Sequence, residues 1–147
     1  HGLIFLPHLF GERAPYWNAN LSAQFLHLNV NHKKEHMVRA GLEGIIFNLK
    51  HVLELLEVNG GKSTELFVSG GIVNNESILQ MIADIFNLKV NETVDTETTS
   101  LGAILLSGNQ SFEYPNVRTF EPNSQNYLAY RKAYQVFIQE SRNLNIG

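Results

Sequence analysis

Apolar residues recur along this chain in two rhythms, and each rhythm predicts an element. Short apolar runs predict strands at Leu3-Ile4-Phe5-Leu6, which Pro7 stops, at residues 22–28, at 64–68 and at Leu88-Lys89-Val90. Spacings of three and four predict helices. Val38, Leu42, Ile45, Ile46, Leu49, Val52, Leu53 and Leu56 form one apolar stripe on a helix from about His32 to Glu57. Asn31 is its expected N-cap and Asn59-Gly60-Gly61 its expected end. Ile78, Leu79, Ile82, Ile85 and Phe86 mark a second helix over 75–87, and Leu101-Gly102-Ala103 lies in a third over 100–106. A last helix over 124–141 turns Tyr127, Ala133, Tyr134, Phe137 and Ile138 towards its buried side. Residues 8–20 carry neither rhythm, and Gly11, Pro15 and the asparagines mark a loop. Residues 93–99 read as a polar loop and 108–122 as an irregular stretch with two prolines.

Two details of the long helix add to this. Gly41 and Gly44 each cost a helix up to ~1 kcal/mol relative to alanine, so another element is expected to approach there. Arg39 and Glu43 are four apart and are expected to pair on the surface.

Composition narrows the class. At 147 residues, 44% hydrophobic and 17% charged, this is an ordinary globular domain with a real core. A net charge of −3 supplies no basic field for nucleic acid or an anionic membrane. The chain has no cysteine, which excludes disulfides, thiolate catalysis and cysteine-ligated metals. No apolar run approaches the roughly 18 residues of a membrane helix, and no signal peptide is visible, so a cytoplasmic protein is expected. The chain opens with His1-Gly2 directly before a core strand, which reads as a piece of a longer protein.

The candidate chemistry centres on Leu66-Phe67-Val68-Ser69-Gly70-Gly71, where an apolar strand breaks at two glycines and a helix follows. Glycine lets a ligand approach the main chain, and the helix start offers N–H groups and the positive end of its dipole. A tight turn without a ligand produces the same pattern. Asn75 fits two roles, helix cap or contact to a nucleotide base, and spacing alone favours the cap. Ser69 has no partner base and is read as a turn residue. Gly61-Lys62-Ser63 is not a Walker A loop, because Leu56 stands where its first glycine belongs and the helix precedes the strand. His32 and His36 have metal-ligand spacing, but Lys33 and Lys34 between them would repel a cation; a solvated helix start is favoured. In the 8–20 loop, Glu12, Arg13, Tyr16 and Trp17 are either cleft groups or structural ones.

Taken together, these motifs resemble the FGGY carbohydrate kinases. Gly11-Glu12-Arg13-Ala14-Pro15-Tyr16-Trp17-Asn18 is similar to their interlobe loop, and His36-x-x-Arg39-Ala40-x-Leu42-Glu43-Gly44 to the long helix of their second signature. Ser69-Gly70-Gly71, with Gln80 and Ala83-Asp84, resembles their nucleotide loop, and Leu101-Gly102-Ala103 their late Gly-Ala-Ala helix. Within the family, Leu6-Pro7-x-Leu9-x-Gly11-Glu12-Arg13 and Asn31 to Met37 look most like gluconate kinases, with xylulose kinases as the alternative.

The resemblance implies an α/β, actin-like ATPase or ribonuclease-H-like lobe, a mixed sheet with helices on its faces. Residues 1–147 would be the C-terminal, nucleotide-binding lobe of a two-lobe sugar kinase, without the N-terminal lobe. It implies ATP with Mg²⁺, the ion held mainly by phosphates and the missing lobe, and phosphoryl transfer to a sugar or sugar-acid hydroxyl, gluconate first. A non-catalytic nucleotide-binding domain on the same fold is the other reading. Ser69, Gly70, Gly71, Ile72 and Asn75 would meet the nucleotide, with Asn75 now favoured for the base; Gly11, Glu12 and Arg13 would line the interlobe cleft. The catalytic base and any metal ligand would lie outside this chain. Expected partners are a small sugar or sugar acid and the N-terminal lobe, with a homodimer left open. Two departures from the family pattern stand out: His27 where a glycine is usual, and Ile72 in place of alanine.

Overall fold

A computed structural model describes residues 2–93 and 116–145. The chain divides into two compact units, residues 1–62 with 128–147, and residues 63–127.

In the first unit, β1 (Ile4–Leu6) pairs antiparallel with β2 (Gln24–Leu26), Phe5 opposite Phe25 with ring centroids 4.6 Å apart. The second strand is shorter than the sequence predicts, because the backbone leaves the extended region at His27, φ 62°. That is a left-handed conformation in which glycine is unstrained, so the departure from the family pattern at His27 sits on a backbone made for glycine. Helix α1 (Lys34–Gly60) covers β1. Its N-cap is Lys33, not the expected Asn31. The His36 ring explains the change: its Nδ1 accepts from the Lys33 N–H at 3.0 Å, while Asn31 is held in the preceding turn by the Asn29 side chain. The apolar stripe also splits into two. Ala40, Gly44, Ile46, Phe47 and His51 are buried, whereas Val38, Ile45, Leu49 and Leu56 are exposed.

Phe47 is the centre of an aromatic cluster with Tyr130, Tyr134 and Phe137 of α3 (Ser124–Asn145), centroids 5.6–6.5 Å away. Tyr134 donates its hydroxyl to Glu54 at 2.7 Å, and burial, then Glu54, pushes its pKa well up. Arg39 pairs with Glu43 at 2.6 Å as the spacing predicts, and it also reaches the Tyr130 hydroxyl.

The second unit is a mixed three-stranded sheet in the order β3-β4-β5. β3 (Glu65–Val68) and β4 (Lys89–Thr93) are parallel, and β5 (Asn116–Phe120) runs antiparallel to β4. Helix α2 (Glu76–Phe86) joins the parallel pair and buries Leu79, Ile82 and Ile85, all on its predicted apolar face. Asn87, φ 55°, stops it in the left-handed region. β5 falls within the stretch read as irregular. Thr93, the first residue of the predicted 93–99 loop, ends β4 instead; the rest of that loop, the predicted helix over 100–106 and its Leu101-Gly102-Ala103 motif lie outside the described residues.

Candidate functional site

β3 ends at Val68, and the chain turns there through Ser69-Gly70 into a 3-10 helix, Gly71–Asn74. The sequence predicts the helix from 75, one residue before its observed start at Glu76; the turn ahead of it winds as a 3-10 helix. Its conformation depends on Gly70, whose φ of 84° and ψ of −170° lie in a region essentially closed to side chains. The Val73 N–H bonds back to the Gly70 carbonyl at 3.2 Å, and the Val73 side chain plugs into the core at 5% exposure. Asn75 then caps α2: its Oδ1 accepts from the Ile78 N–H at 3.3 Å. The cap is therefore real, and it leaves the amide Nδ2 as the group available to a base.

Gly71 has a different environment. Its φ is outside the left-handed region, it is exposed, and an added Cβ would meet nothing within 4 Å. Ile72 beside it is 39% exposed. Ser69 is half-buried. The predicted nucleotide residues thus come together as one open turn at the carboxyl end of a parallel strand, where ligands bind in open α/β sheets.

Two polar side chains hold this turn to the sheet. The Thr93 hydroxyl at the end of β4 donates to the Val68 carbonyl at 3.4 Å. Arg118 of β5 donates through Nη2 to the Val73 carbonyl at 3.0 Å, forks onto Glu92 and reaches Glu76. The sequence reading missed Arg118 because it missed β5. The usable signal was Asn-Val-Arg-Thr-Phe, with β-branched and aromatic residues, between Pro115 and Pro122.

Behind the turn, Asp84 of the Ala83-Asp84 motif has a structural place. It is 2% exposed and accepts from Gln80, the Asn123 N–H and Asn126, at 2.8–2.9 Å. Asn123 in turn caps α3 through the N–H groups of Gln125 and Asn126.

Of the residues expected in the interlobe cleft, Gly11 and Arg13 line one hollow and Glu12 turns away from it. Gly11 has φ 74°, and a Cβ there would lie 2.8 Å from the Ala19 backbone. Glu12 turns inward, against the buried His8 and within 3.5 Å of Asn48, so its environment is interior rather than a cleft wall. A carboxylate inside the unit is stabilised by such partners, which apolar surroundings would not supply. Arg13 is exposed and, with Phe5, Pro7, Phe10 and Ile45, lines a hollow of 580 Å³. Trp17 is 80% exposed, while Tyr16 packs near His51, its hydroxyl 3.5 Å from Nδ1.

His32 and His36 behave as the start of a helix. Each Nδ1 accepts a backbone N–H at 3.0 Å, from Asn29 and Lys33. Among the described residues no group of three or more His, Asp or Glu is placed to hold a metal. None of the described helices is long and apolar enough to cross a membrane.

Parallel strand, glycine turn and capped helix in a mixed sheet are the architecture of an actin-like ATPase lobe, and solved kinases share it over nearly all of this chain. Gluconate kinase from Lactobacillus acidophilus aligns with a TM-score of 0.88 at 30% identity, covering 98% of this chain and 31% of that one. Plasmodium falciparum glycerol kinase, solved with ADP, aligns at 0.74 and 25% identity over 95% of this chain and 30% of that one. The family follows from the sequence match: residues 1–110 fit the C-terminal domain of the FGGY family of carbohydrate kinases, and the chain belongs to that family. The Bacillus licheniformis gluconokinase is 38% identical over 97% of this chain, and the Lactococcus lactis xylulose kinase 30% identical over 97%. The chain spans about 30% of the length of these relatives.

Proposed function

We propose that this chain supplies the adenosine-binding half of the cleft of an ATP-dependent carbohydrate kinase, with gluconate as acceptor and 6-phosphogluconate as product. The observation that carries this reading is the open space at Gly71, on a turn tied down by Thr93 and Arg118. The nucleotide would lie against the Gly70-Gly71 backbone, with Ile72 beside the adenine and Asn75 Nδ2 donating to the base. The acceptor pocket and the base that deprotonates the sugar hydroxyl belong to a preceding lobe of the same polypeptide. The exposed apolar residues of α1 and Phe10, 99% exposed, support further protein covering the first unit.

Phosphoryl transfer depends on positioning and charge stabilisation more than on covalent help. Closure of two lobes would align donor and acceptor and exclude water. Such alignment is worth roughly 7–11 kcal/mol of barrier. Mg²⁺, held by the nucleotide phosphates and residues outside this chain, would neutralise the transferring group. A cytoplasmic enzyme fits this chemistry, since the cytoplasm is where ATP is supplied.

Gluconate is favoured over xylulose by the higher identity to gluconokinase. Gly71→Val in the full-length protein tests the seat. Calorimetry is expected to show ATP affinity lost with the fold retained; unchanged affinity refutes the assignment. A panel of gluconate, xylulose and glycerol then fixes the acceptor. Binding of ATP without turnover of any sugar would favour a non-catalytic nucleotide-binding domain.

A further inference from the structure

The proposed seat carries a charge problem, and one residue answers it. Glu76 opens α2, and Glu92 lies next to the end of β4. Both carboxylates border the segment that would receive an anionic nucleotide, and like charges there oppose its binding. Arg118 is bonded to both. Its Nε and Nη2 fork across Glu92, Nη1 reaches Glu76, and Nη2 also donates to the Val73 carbonyl at 3.0 Å. A guanidinium is suited to this because its five donors leave in one plane, which an ammonium cannot reproduce. Glu92, 7% exposed, is held below the usual carboxylate range by its hydrogen bond to Arg118, so it is charged at neutral pH.

We propose that Arg118 is the positioning residue of the nucleotide turn: from β5 it fixes the Val73 carbonyl of the 3-10 helix and neutralises Glu76 and Glu92 beside the seat. This rests on the nucleotide reading given above. Arg118 touches no reacting atom. Its work is to hold Gly71–Asn74 at one height above the sheet and to keep the approach of an anion free of two bare carboxylates. Nothing else among the described residues ties β4, β5, the 3-10 helix and α2 together through a single side chain.

The test uses Arg118→Lys and Arg118→Gln in the full-length protein. Lysine keeps the charge but loses the fork and its second hand on the carbonyl; glutamine loses both charge and fork. ADP affinity by calorimetry is expected to fall about tenfold or more in R118Q and by less in R118K, while KM for the sugar stays within about twofold, on the premise that each tenfold is ~1.4 kcal/mol of a single contact set. Hydrogen exchange at the Val73–Ile78 amides should quicken in both variants, with α1 amides unchanged. If R118Q does not fold, R118K and the exchange pattern carry the test. Wild-type protein that binds ADP alongside variants that bind it equally well overturns this inference alone. So do variants that lose nucleotide and sugar in parallel, which marks a merely structural residue. A wild type that binds no nucleotide overturns the underlying reading, and this one with it.

Discussion

Gly44 and Gly41 lie one helical turn apart on α1, and alanine at the two sites should have opposite effects. At Gly44 an added Cβ would lie 2.2 Å from the Phe5 carbonyl oxygen, 3.1 Å from its carbon and 3.3 Å from its Cβ. Backbone cannot swing aside as a flexible side chain can, so α1 and β1 must separate by close to an ångström. Overpacking of this kind costs about 1–3 kcal/mol. The helix returns only about 0.8–1 kcal/mol when glycine becomes alanine. Gly44→Ala should therefore destabilise by up to about 2 kcal/mol, which for a domain near this size lowers Tm by as much as roughly 8 °C. At Gly41 nothing lies within 4 Å of the added methyl, so the propensity gain stands alone. Gly41→Ala should raise Tm by roughly 2–4 °C. Calorimetric unfolding of the two variants side by side is the assay. If G44A unfolds no lower than G41A, the close contact between α1 and β1 is not there and the packing argument is wrong.

Two further variants probe the polar interior. Asp84→Ala leaves the Gln80 and Asn126 amides and the Asn123 N–H without their acceptor, so urea unfolding should show a loss on the order of 3 kcal/mol; a midpoint within error of wild type would mean those donors find water instead. His51, 8% exposed, has its pKa pushed below 6.5, first by burial and then by Arg142, against the opposing pull of Glu54 and Glu12. The unfolded chain therefore takes up this proton first, and the protein should be most stable above pH 6.5 and lose stability as pH falls below it. His51→Gln should flatten that slope in a Tm-against-pH series, and an unchanged slope would assign it to other groups.

What could be read from the sequence depended on whether its cause was local. The β3-turn-α2 segment was legible because an apolar run, two glycines and a three-four repeat are each set by neighbours in the chain. Asn75 as cap followed for the same reason. The N-cap at Lys33 was not legible, because it depends on which way the His36 ring turns. The inward position of Glu12 was equally hidden: it depends on His8 and on Asn48, 36 residues away in α1. β5 was lost because the two prolines flanking it read as loop; Val117, Thr119 and Phe120 are a local strand signal, and pairing with β4 supplies the rest. With β5 went Arg118, whose contacts lie 26 to 45 residues back in the chain. The single stripe assigned to α1 was a correct list of apolar positions but a wrong inference about one face. Periodicity counts apolar residues and cannot say which of two sides is covered.

The glycines themselves supply the final argument about the turn. A glycine in a fold has a reason in the backbone, in a neighbour, or in something outside the chain. Gly11 and Gly44 have neighbours: the Ala19 and Phe5 backbones occupy the space a methyl would need. Gly70 has a backbone reason, a φ,ψ pair that other residues cannot hold at acceptable cost. Gly71 has neither. Its φ is ordinary, its missing Cβ faces open space, and alanine there would favour the 3-10 turn and the helix beyond. Stability alone would place a larger residue at this position. The same holds for Gly41 and Gly60, but Gly41 is half-buried in a helix interior and Gly60 closes α1, whereas Gly71 lies exposed between a strand end and a helix start. The proposed nucleotide, which needs the main chain bare, would account for Gly71, whereas Gly70 is already required by its own backbone. The two adjacent glycines should therefore respond differently: Gly70→Ala through the fold, and Gly71→Val through nucleotide affinity with the fold intact.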